Sequence, residues 1–381
     1  VRRAPELIKV ESVVQAARLL PIGPAKLDYF HKYLVVSVHA DAVTGGANPV
    51  DQTYYDYTGA PAWRWDDSAL TPDTKRTWSD YHGYSEVQVR HGDYNTPAKQ
   101  TRTVYKYFQG MNGDRLNPSG GAKSVSVTTT SEGTSWPDDR WLQGRMREQI
   151  SYVGNTATWV TSAVTDPWAS PGTATDGIWT ARIVRDGEAR TRTALASAYR
   201  STQIATTYNA DGLPTAVDDL GDTSTAVDDV CTRTSYAPNT VAWIIAAPYE
   251  TTTMAVNCGT TPTLPLHALG GARTYYDNAT VVSTAPVIGD ATKTEVIKSY
   301  TGAAANWLVT STGTYDALGR STSITDTLGR TTSTSYTPAT GLVASTTVTN
   351  PLLWTATTSY QREWGLPLTA TDQNAKITEA T

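Results

Sequence analysis

The sequence predicts an all-β fold built as an array of hairpins, and three observations carry that prediction. Thr, Ser, Val, Tyr and Trp are plentiful while Phe (2) and Met (3) are nearly absent; β-branched and aromatic side chains suit a pleated, half-buried surface. In the last third, each Gly follows a short turn-like cluster and opens a run of Thr, Ser, Val or Ile, which reads as turn then strand. Finally, a triple recurs: Tyr, Gly four residues on, and Asp seven residues after that. It stands strictly at Tyr55/Gly59/Asp66, Tyr208/Gly212/Asp219 and Tyr315/Gly319/Asp326, and loosened by one residue at Tyr360/Gly365/Asp372. Internal repetition of this kind marks a stacked array with a continuous sheet, not a set of separate domains.

Taken in order, the opening segment Glu6–Leu20 fits a helical period through Leu7, Val10, Val14 and Ala17, but its valines also suit strands. Tyr33–Val38 and Val241–Ala247 read as buried strands. Residues 40–200 hold many Tyr and Trp between Gly, Pro and Asp clusters, which reads as degenerate strand repeats with longer loops such as Gly110–Gly121 and Pro167–Gly177. From there the pattern tightens. Tyr315-Asp-Ala-Leu-Gly-Arg320 precedes Ser321–Thr325, Asp326-Thr-Leu-Gly-Arg330 precedes Thr331–Ser335 and Tyr336, and Gly341 opens Leu342–Val348. This gives two short strands per repeat of roughly twenty residues. The chain accordingly divides into a strand-rich region with degenerate repeats, 1–200, and a repeat region, 201–381.

Local chemistry explains the triple. Gly supplies the positive φ that a tight turn demands, and Asp bonds backbone N–H groups two residues on. Tyr buries its ring against a neighbour and leaves its hydroxyl a partner at the surface. Arg320 and Arg330, directly after Gly319 and Gly329, either stack on such a ring or pair with a turn Asp, or are simply solvated turn charges.

Several classes of function are disfavoured. A formal net charge of −5 gives no basic field for a polyphosphate backbone, so no nucleic-acid partner is expected. No apolar run approaches the eighteen or so residues that span a bilayer. Glu6, Lys9, Glu11 and Arg18 interrupt any apolar signal-peptide region, and the start at Val1 and the stop inside a repeat, after Ile377–Thr381 begins a strand, read as a piece of something longer. Cys231 and Cys258 are the two cysteines. They make no zinc cage or CxxC motif, and in an exported protein they are candidates for one disulfide, against two free thiols.

Two sets of residues are candidates for catalytic chemistry. The doubled carboxylates Asp66-Asp67, Asp138-Asp139, Asp218-Asp219 and Asp228-Asp229 are sequence neighbours, and a glycosidase pair must face each other across a sugar, so turn and cap duty is the better reading. His31, His39, His82 and His91 lie in the first quarter, and His91-Gly-Asp93 sets a base near a carboxylate, but no GxSxG, HExxH, P-loop or GxGxxG accompanies them. No enzyme activity, cofactor or metal is expected. Trp63/Trp65 and Trp78/Tyr81/Tyr84 are either core layers between stacked strands or a platform for stacking sugars.

At Tyr315-Asp-Ala-Leu-Gly-Arg320 and Asp326-Thr-Leu-Gly-Arg330 the chain resembles the tyrosine-aspartate (YD) repeat of Rhs and related toxin-shell proteins. That family includes the B and C components of bacterial Tc toxins and the animal teneurins. The likeness covers mainly 200–381. Trp63-Arg-Trp-Asp-Asp67, Arg76-Thr-Trp-Ser-Asp-Tyr81 with Gly83-Tyr84, and Gly110-Met-Asn-Gly-Asp114 resemble, less specifically, the region before the repeats in actinobacterial members. The resemblance implies a YD-repeat hairpin array forming part of a spiral β-sheet shell that encloses a C-terminal toxin domain of the full-length protein, secreted or at the cell surface. The self-cleaving Asp-Pro-x-Gly core and a recognisable toxin are not in this sequence, so only a structural role carries over to the Tyr, Gly and Asp positions. The alternative reading is an adhesive or carbohydrate-binding β-repeat module, and a secreted hydrolase comes third.

Overall fold

The computed structural model describes residues 14–18, 26–30, 32–40, 51–93, 95–177 and 179–380. Almost all regular structure is antiparallel strand. The helical segments among the described residues are three single 3₁₀ turns, Asp73–Lys75, Pro97–Lys99 and Arg140–Leu142. The chain forms two compact units, Val1–Thr206 with Asp219–Ala226, and Thr207–Asp218 with Val227–Thr381.

In the first unit, strands pair in the order Ser37–Ala40, Asp51–Thr58, Glu86–His91, Thr101–Tyr107, Met146–Tyr152, Trp159–Ala169, Val184–Ala194 and Tyr199–Tyr208. Long connections fold back as small hairpins, for example Ala62–Trp65 with Trp78–Gly83 and Ser126–Thr128 with Ser135–Pro137. They enclose a small core of Phe108, Val127 and Leu142, against which Trp136, Trp141 and Val184 pack. The expected loops at 110–121 and 167–177 therefore carry short strands of their own: Arg115–Asn117 with Gly120–Ala122, and Ala174–Asp176 with Trp179–Ala181. Within the opening segment the described part, Val14–Arg18, is a strand paired with Lys26–Phe30; the remainder lies outside the described residues.

Two strand expectations need correction. Tyr33–Val36 is irregular, and the strand starts at Ser37, because only Leu34 of that apolar run turns inward while Tyr33 is exposed. Val241–Ala247 is a loop, not a buried strand. Asn239 Oδ1 accepts the N–H groups of Val241 and Ala242 at 3.0 Å each, Trp243 takes φ 56°, and both Val241 and Trp243 stand exposed. An Asx turn has overridden the apolar pattern.

In the second unit strands pair antiparallel and without crossover in the order Val230–Tyr236, Pro248–Met254, Ala268–Tyr276, Ala291–Thr301, Ala304–Tyr315, Ser321–Asp326, Thr331–Thr337, Ser345–Thr349, Thr355–Gln361, Leu366–Thr371 and Ile377–Glu379. Directly opposed residues share a face. On one face the partners run Thr312/Thr325/Thr331, then Thr314/Ser323/Ser333/Thr349/Thr355, then Ser335/Thr347/Thr357/Thr371, then Thr337/Ser345/Ser359/Thr369. From Val296 to Ala380 no residue is buried. This part of the sheet is a single layer, and its stability has to come from the ladder and from the strand ends.

One five-residue turn closes the hairpins repeatedly, at 209–213, 316–320, 326–330, 350–354 and 372–376. In each, the opening Asn or Asp offers Oδ1 to the N–H groups two and four residues on, at 2.8–3.0 Å. The fourth residue takes the left-handed conformation, φ 59–76°: Gly212, Gly319, Gly329, Leu353 and Ala375. A left-handed L-residue costs about 1–2 kcal/mol, which explains glycine at three of the five.

The turn generates two tests. Leu353→Gly should raise stability by about 0.5–1 kcal/mol in chemical denaturation, because it relieves left-handed strain and gives up only an exposed side chain. Gly319→Val should cost about 1–2 kcal/mol while Ala317→Val stays near wild type, since the nearest atom to an added Cβ at 319 is Asp290 Oδ1 at 3.7 Å and the strain is backbone strain alone. The disulfide gives a third. Cys231 and Cys258, 27 positions apart, are bonded with a Cα separation of 4.9 Å; replacing both by Ser should cost about 3–4 kcal/mol by lost loop closure, read by the same denaturation curves.

Candidate functional site

The repeated strand ends are the feature of this chain that its sequence pattern points to. A tyrosine at or next to the end of one strand reaches back to the carbonyl where the preceding strand begins. Tyr236 donates at 3.0 Å to the O of Pro214, which opens the strand Pro214–Asp222, Tyr276 to Pro248 O at 3.0 Å, Tyr315 to Ala291 O at 3.0 Å and Tyr336 to Ser321 O at 2.9 Å. In the first unit Tyr57 does the same toward Val35 O, at 2.8 Å, a carbonyl two residues before its strand begins. Each clasp gives a carbonyl at the start of one strand a hydroxyl donor from the end of the next.

Arg320 joins a turn to a clasp. Its Nε donates to Asp316 Oδ2 at 2.6 Å, and its guanidinium lies 4.3 Å from the centre of the Tyr336 ring. Arg330 makes the same turn pair, at 2.7 Å to Asp326 Oδ2. Both arginines thus serve the turn, and Arg320 also stacks. The Asp316 and Asp326 carboxyls are held below the usual carboxylate range, first by these arginine hydrogen bonds and then by the turn amides.

The third member of every triple does one job. Asp66, Asp219, Asp326 and Asp372 each accept the N–H two residues on, from Ser68, Gly221, Leu328 and Asn374, at 2.8–3.0 Å. The glycines all take positive φ, including Gly59 at 84°, Gly341 at 85° and Gly365 at 64°, although the last two close turns of other shapes. Tyr360 meets Thr346 Oγ1 at 3.2 Å in place of a carbonyl. Tyr55 lies in Asp51–Thr58, where Tyr57 makes the clasp. Tyr236 and Tyr276 fall outside the triple because neither is followed by Gly at the right step; Tyr236 shares with Tyr315, Tyr336 and Tyr360 a Thr- and Ser-rich run ending in Tyr, whereas Tyr276 follows Arg273-Thr274-Tyr275 and carries no such signal.

The other sequence candidates have local partners. Asp138 accepts the N–H groups of Gln109, Gly110 and Met111 at 2.8–3.0 Å, and burial, outweighing these donors, pushes its carboxyl up. Asp67 pairs with Arg140, and Asp218 accepts the Cys258 N–H at 2.8 Å. His82 is enclosed between Gln109 O and Asp80, His91 meets Thr53 Oγ1 at 2.9 Å, and Asp93 holds its own turn through the Asn95 N–H; His31 lies outside the described residues. Trp65 and Trp78 meet edge to face with centroids 4.7 Å apart, Trp63 and Tyr81 at 5.0 Å, and Trp63 is buried. These rings pack on one another and do not form an open row. Among the described residues no group of three or more His, Cys, Asp or Glu is placed to hold a metal ion, and no helix is long and apolar enough to cross a membrane.

One residue with no sequence signal organises a whole loop. Asp277, at φ 52°, accepts four successive amides, from Val287 at 2.6 Å, Ile288 at 2.9 Å, Gly289 at 3.0 Å and Asp290 at 2.9 Å. Partial burial works to raise its carboxyl, but the four donors outweigh it and hold it below the usual range. Its contribution is therefore complete above the unfolded-state value of about 3.9 and is lost as pH falls through the depressed folded value. Melting temperatures of wild type and Asp277→Asn should differ at pH 7 and at pH 5, begin to approach each other below about pH 4, and converge only once pH has passed the depressed folded value. Tyr336→Phe, which removes one clasp hydrogen bond and keeps the ring, should cost about 0.5–1.5 kcal/mol in chemical denaturation.

No family model and no curated protein matches the sequence. Solved structures do. The chain is similar to a crystal structure of TcdB2-TccC3, with a TM-score of 0.59 and 12% identity over 92% of this chain and 22% of that one. A second crystal structure, TcdB2-TccC3-TEV, gives 0.62 and 14% over 93% and 22%. The Tc holotoxin pore of Photorhabdus luminescens, with a mutated TccC3, gives 0.58 and 14% over 87% and 20%. The chain thus spans about a fifth of the length of these structures. At such identities the likeness is one of fold: a long antiparallel sheet of Tc-toxin type. It does not reach the actinobacterial type or teneurins.

Proposed function

We propose that this chain is a wall segment of an Rhs/Tc-type toxin shell, exported or displayed at the cell surface, with no catalysis of its own, and that in the full-length protein the wall encloses a C-terminal toxin domain. The observation that carries this reading is the single-layer sheet over Val296–Ala380, where no residue is buried and repeated turns and clasps replace a core. A sheet of that kind is suited to a partition and ill suited to a globular domain, which must bury one face against another layer. The YD-type motifs and the Tc-toxin fold support the same reading. The sugar-platform alternative draws no support from Trp63, Trp65, Trp78 and Tyr81, whose rings are spent on one another.

The test uses the full-length protein. Electron microscopy should show a hollow particle, and limited proteolysis should spare the C-terminal domain until the particle is opened with denaturant. A solid or extended particle whose C-terminal domain is cleaved as fast before opening as after would overturn the proposal.

A further inference from the structure

The two faces of the repeat sheet differ sharply in chemistry. One carries only hydroxyls along its cross-strand rows, as in Thr314/Ser323/Ser333/Thr349/Thr355. Many of these hydroxyls pair across the strands, Thr314 with Ser323 at 2.7 Å, Thr325 with Thr331 at 2.8 Å and Thr347 with Thr357 at 3.0 Å. The rows on the other face interpose apolar groups: Ile324 opposite Gly313 and Thr332, Val348 opposite Thr334 and Ala356, Tyr336 opposite Thr346. Alternation along each strand maintains this separation, because one step of register would mix the two sets.

The hydroxyl face is continuous with a face that the chain itself already covers. Through Ser235/Glu250/Arg273/Glu295 and Tyr275/Lys293/Thr312/Thr325, the register places Arg233 and Cys231 on the same side. There Cys231 is bridged to Cys258, and Arg233 Nη2 donates to Cys258 O at 2.6 Å, so the 255–263 loop lies over it. Next to it, Asn278–Thr280 of another loop and Lys293, Thr312, Thr314 and Ser323 line a cleft of about 500 Å³ that opens onto the hydroxyl rows. Polypeptide therefore lies on this face up to the cleft, and beyond the cleft the face is bare.

We infer that the hydroxyl face is the lumenal face of the wall and that the occupant beyond the cleft is the cargo polypeptide of the full-length protein; this rests on the shell reading. Threonine and serine hydroxyls donate to and accept from backbone amides without selecting side chains. Beyond the cleft, the rows from Thr314/Ser323/Ser333 to Thr337/Ser345/Ser359 offer no charge and no apolar side chain to grip a particular sequence. It would line a chamber whose contents must be held and then let go, with affinity spread thinly over many weak contacts.

The experiment places single cysteines in the full-length protein, Ser333→Cys and Thr347→Cys on the hydroxyl face, Thr334→Cys and Thr346→Cys on the other. Each is treated with a bulky polyethylene glycol maleimide under non-reducing conditions, before and after opening with denaturant. The inference expects loss of labelling at 333 and 347 in the intact particle, recovered on opening, with 334 and 346 labelled throughout. Labelling at 333 and 347 with protection at 334 and 346 would overturn the inference and leave the shell standing. Labelling of all four in the intact particle would sink the shell reading itself.

Discussion

The repeat sheet over Val296–Ala380 depends on one constraint: a sheet with neither face buried must be held at its ends. Ordering each residue costs about 1–2 kcal/mol of backbone entropy, and a strand here cannot recover it by burying a side chain against a second layer. Cross-strand pairs return only about 0.2–1 kcal/mol each. The Asx turn and the tyrosine clasp act where that deficit is worst. The turn fixes the chain reversal with two side-chain hydrogen bonds as well as its backbone ones, and the clasp ties the start of one strand to the end of the next across the ladder.

The first unit meets the same need differently. Its connections are long enough to fold over the sheet, so a small apolar core of Phe108, Val127 and Leu142 forms beside fully buried polar groups. Arg147 pairs with Asp166, which also receives Arg190 at 2.7 Å, while Arg190 reaches Glu132 at 2.9 Å and Glu188 at 2.6 Å. Glu148, buried, accepts the N–H groups of Thr130 and Ser131 at 2.6 and 2.8 Å. Such networks stiffen a fold as far as their members are satisfied; here Arg147 Nε alone of the groups named is buried without a hydrogen-bond partner. Where burial of this kind is available, a strict end motif is less needed, which accounts physically for the looser repeats upstream of residue 200.

Legibility in the sequence follows the range of each interaction. Gly319 and Asp326 could be read because a turn is settled within five residues, and the all-β class because composition reports the pleated surface. The clasp was only half legible: the tyrosine recurs, but its acceptor is a carbonyl 15 to 28 residues away and carries no side-chain signature. Leu353 and Ala375 hid two copies of the turn by occupying the glycine position with strained backbone. Asp277 could not be found at all, since its partners are four amides of a loop with no motif. Val241–Ala247 misled for the opposite reason: its apolar pattern was local and genuine, but the capping Asn239 next to it decided the backbone.

Nearest-neighbour construction also bears on what the repeat sheet can do. Each turn couples a strand to the one after it and each clasp to the one before, so stability approximates a sum over adjacent pairs, as in other repeat proteins. Losing one clasp should weaken two strands and leave distant ones intact. Because no core joins the two faces, the side chains on each are free of packing constraints from the other. One face has become uniformly hydroxylic while the opposite keeps Tyr336, Ile324 and Val348, a division that a two-layer domain, obliged to spend one face on its core, could not make.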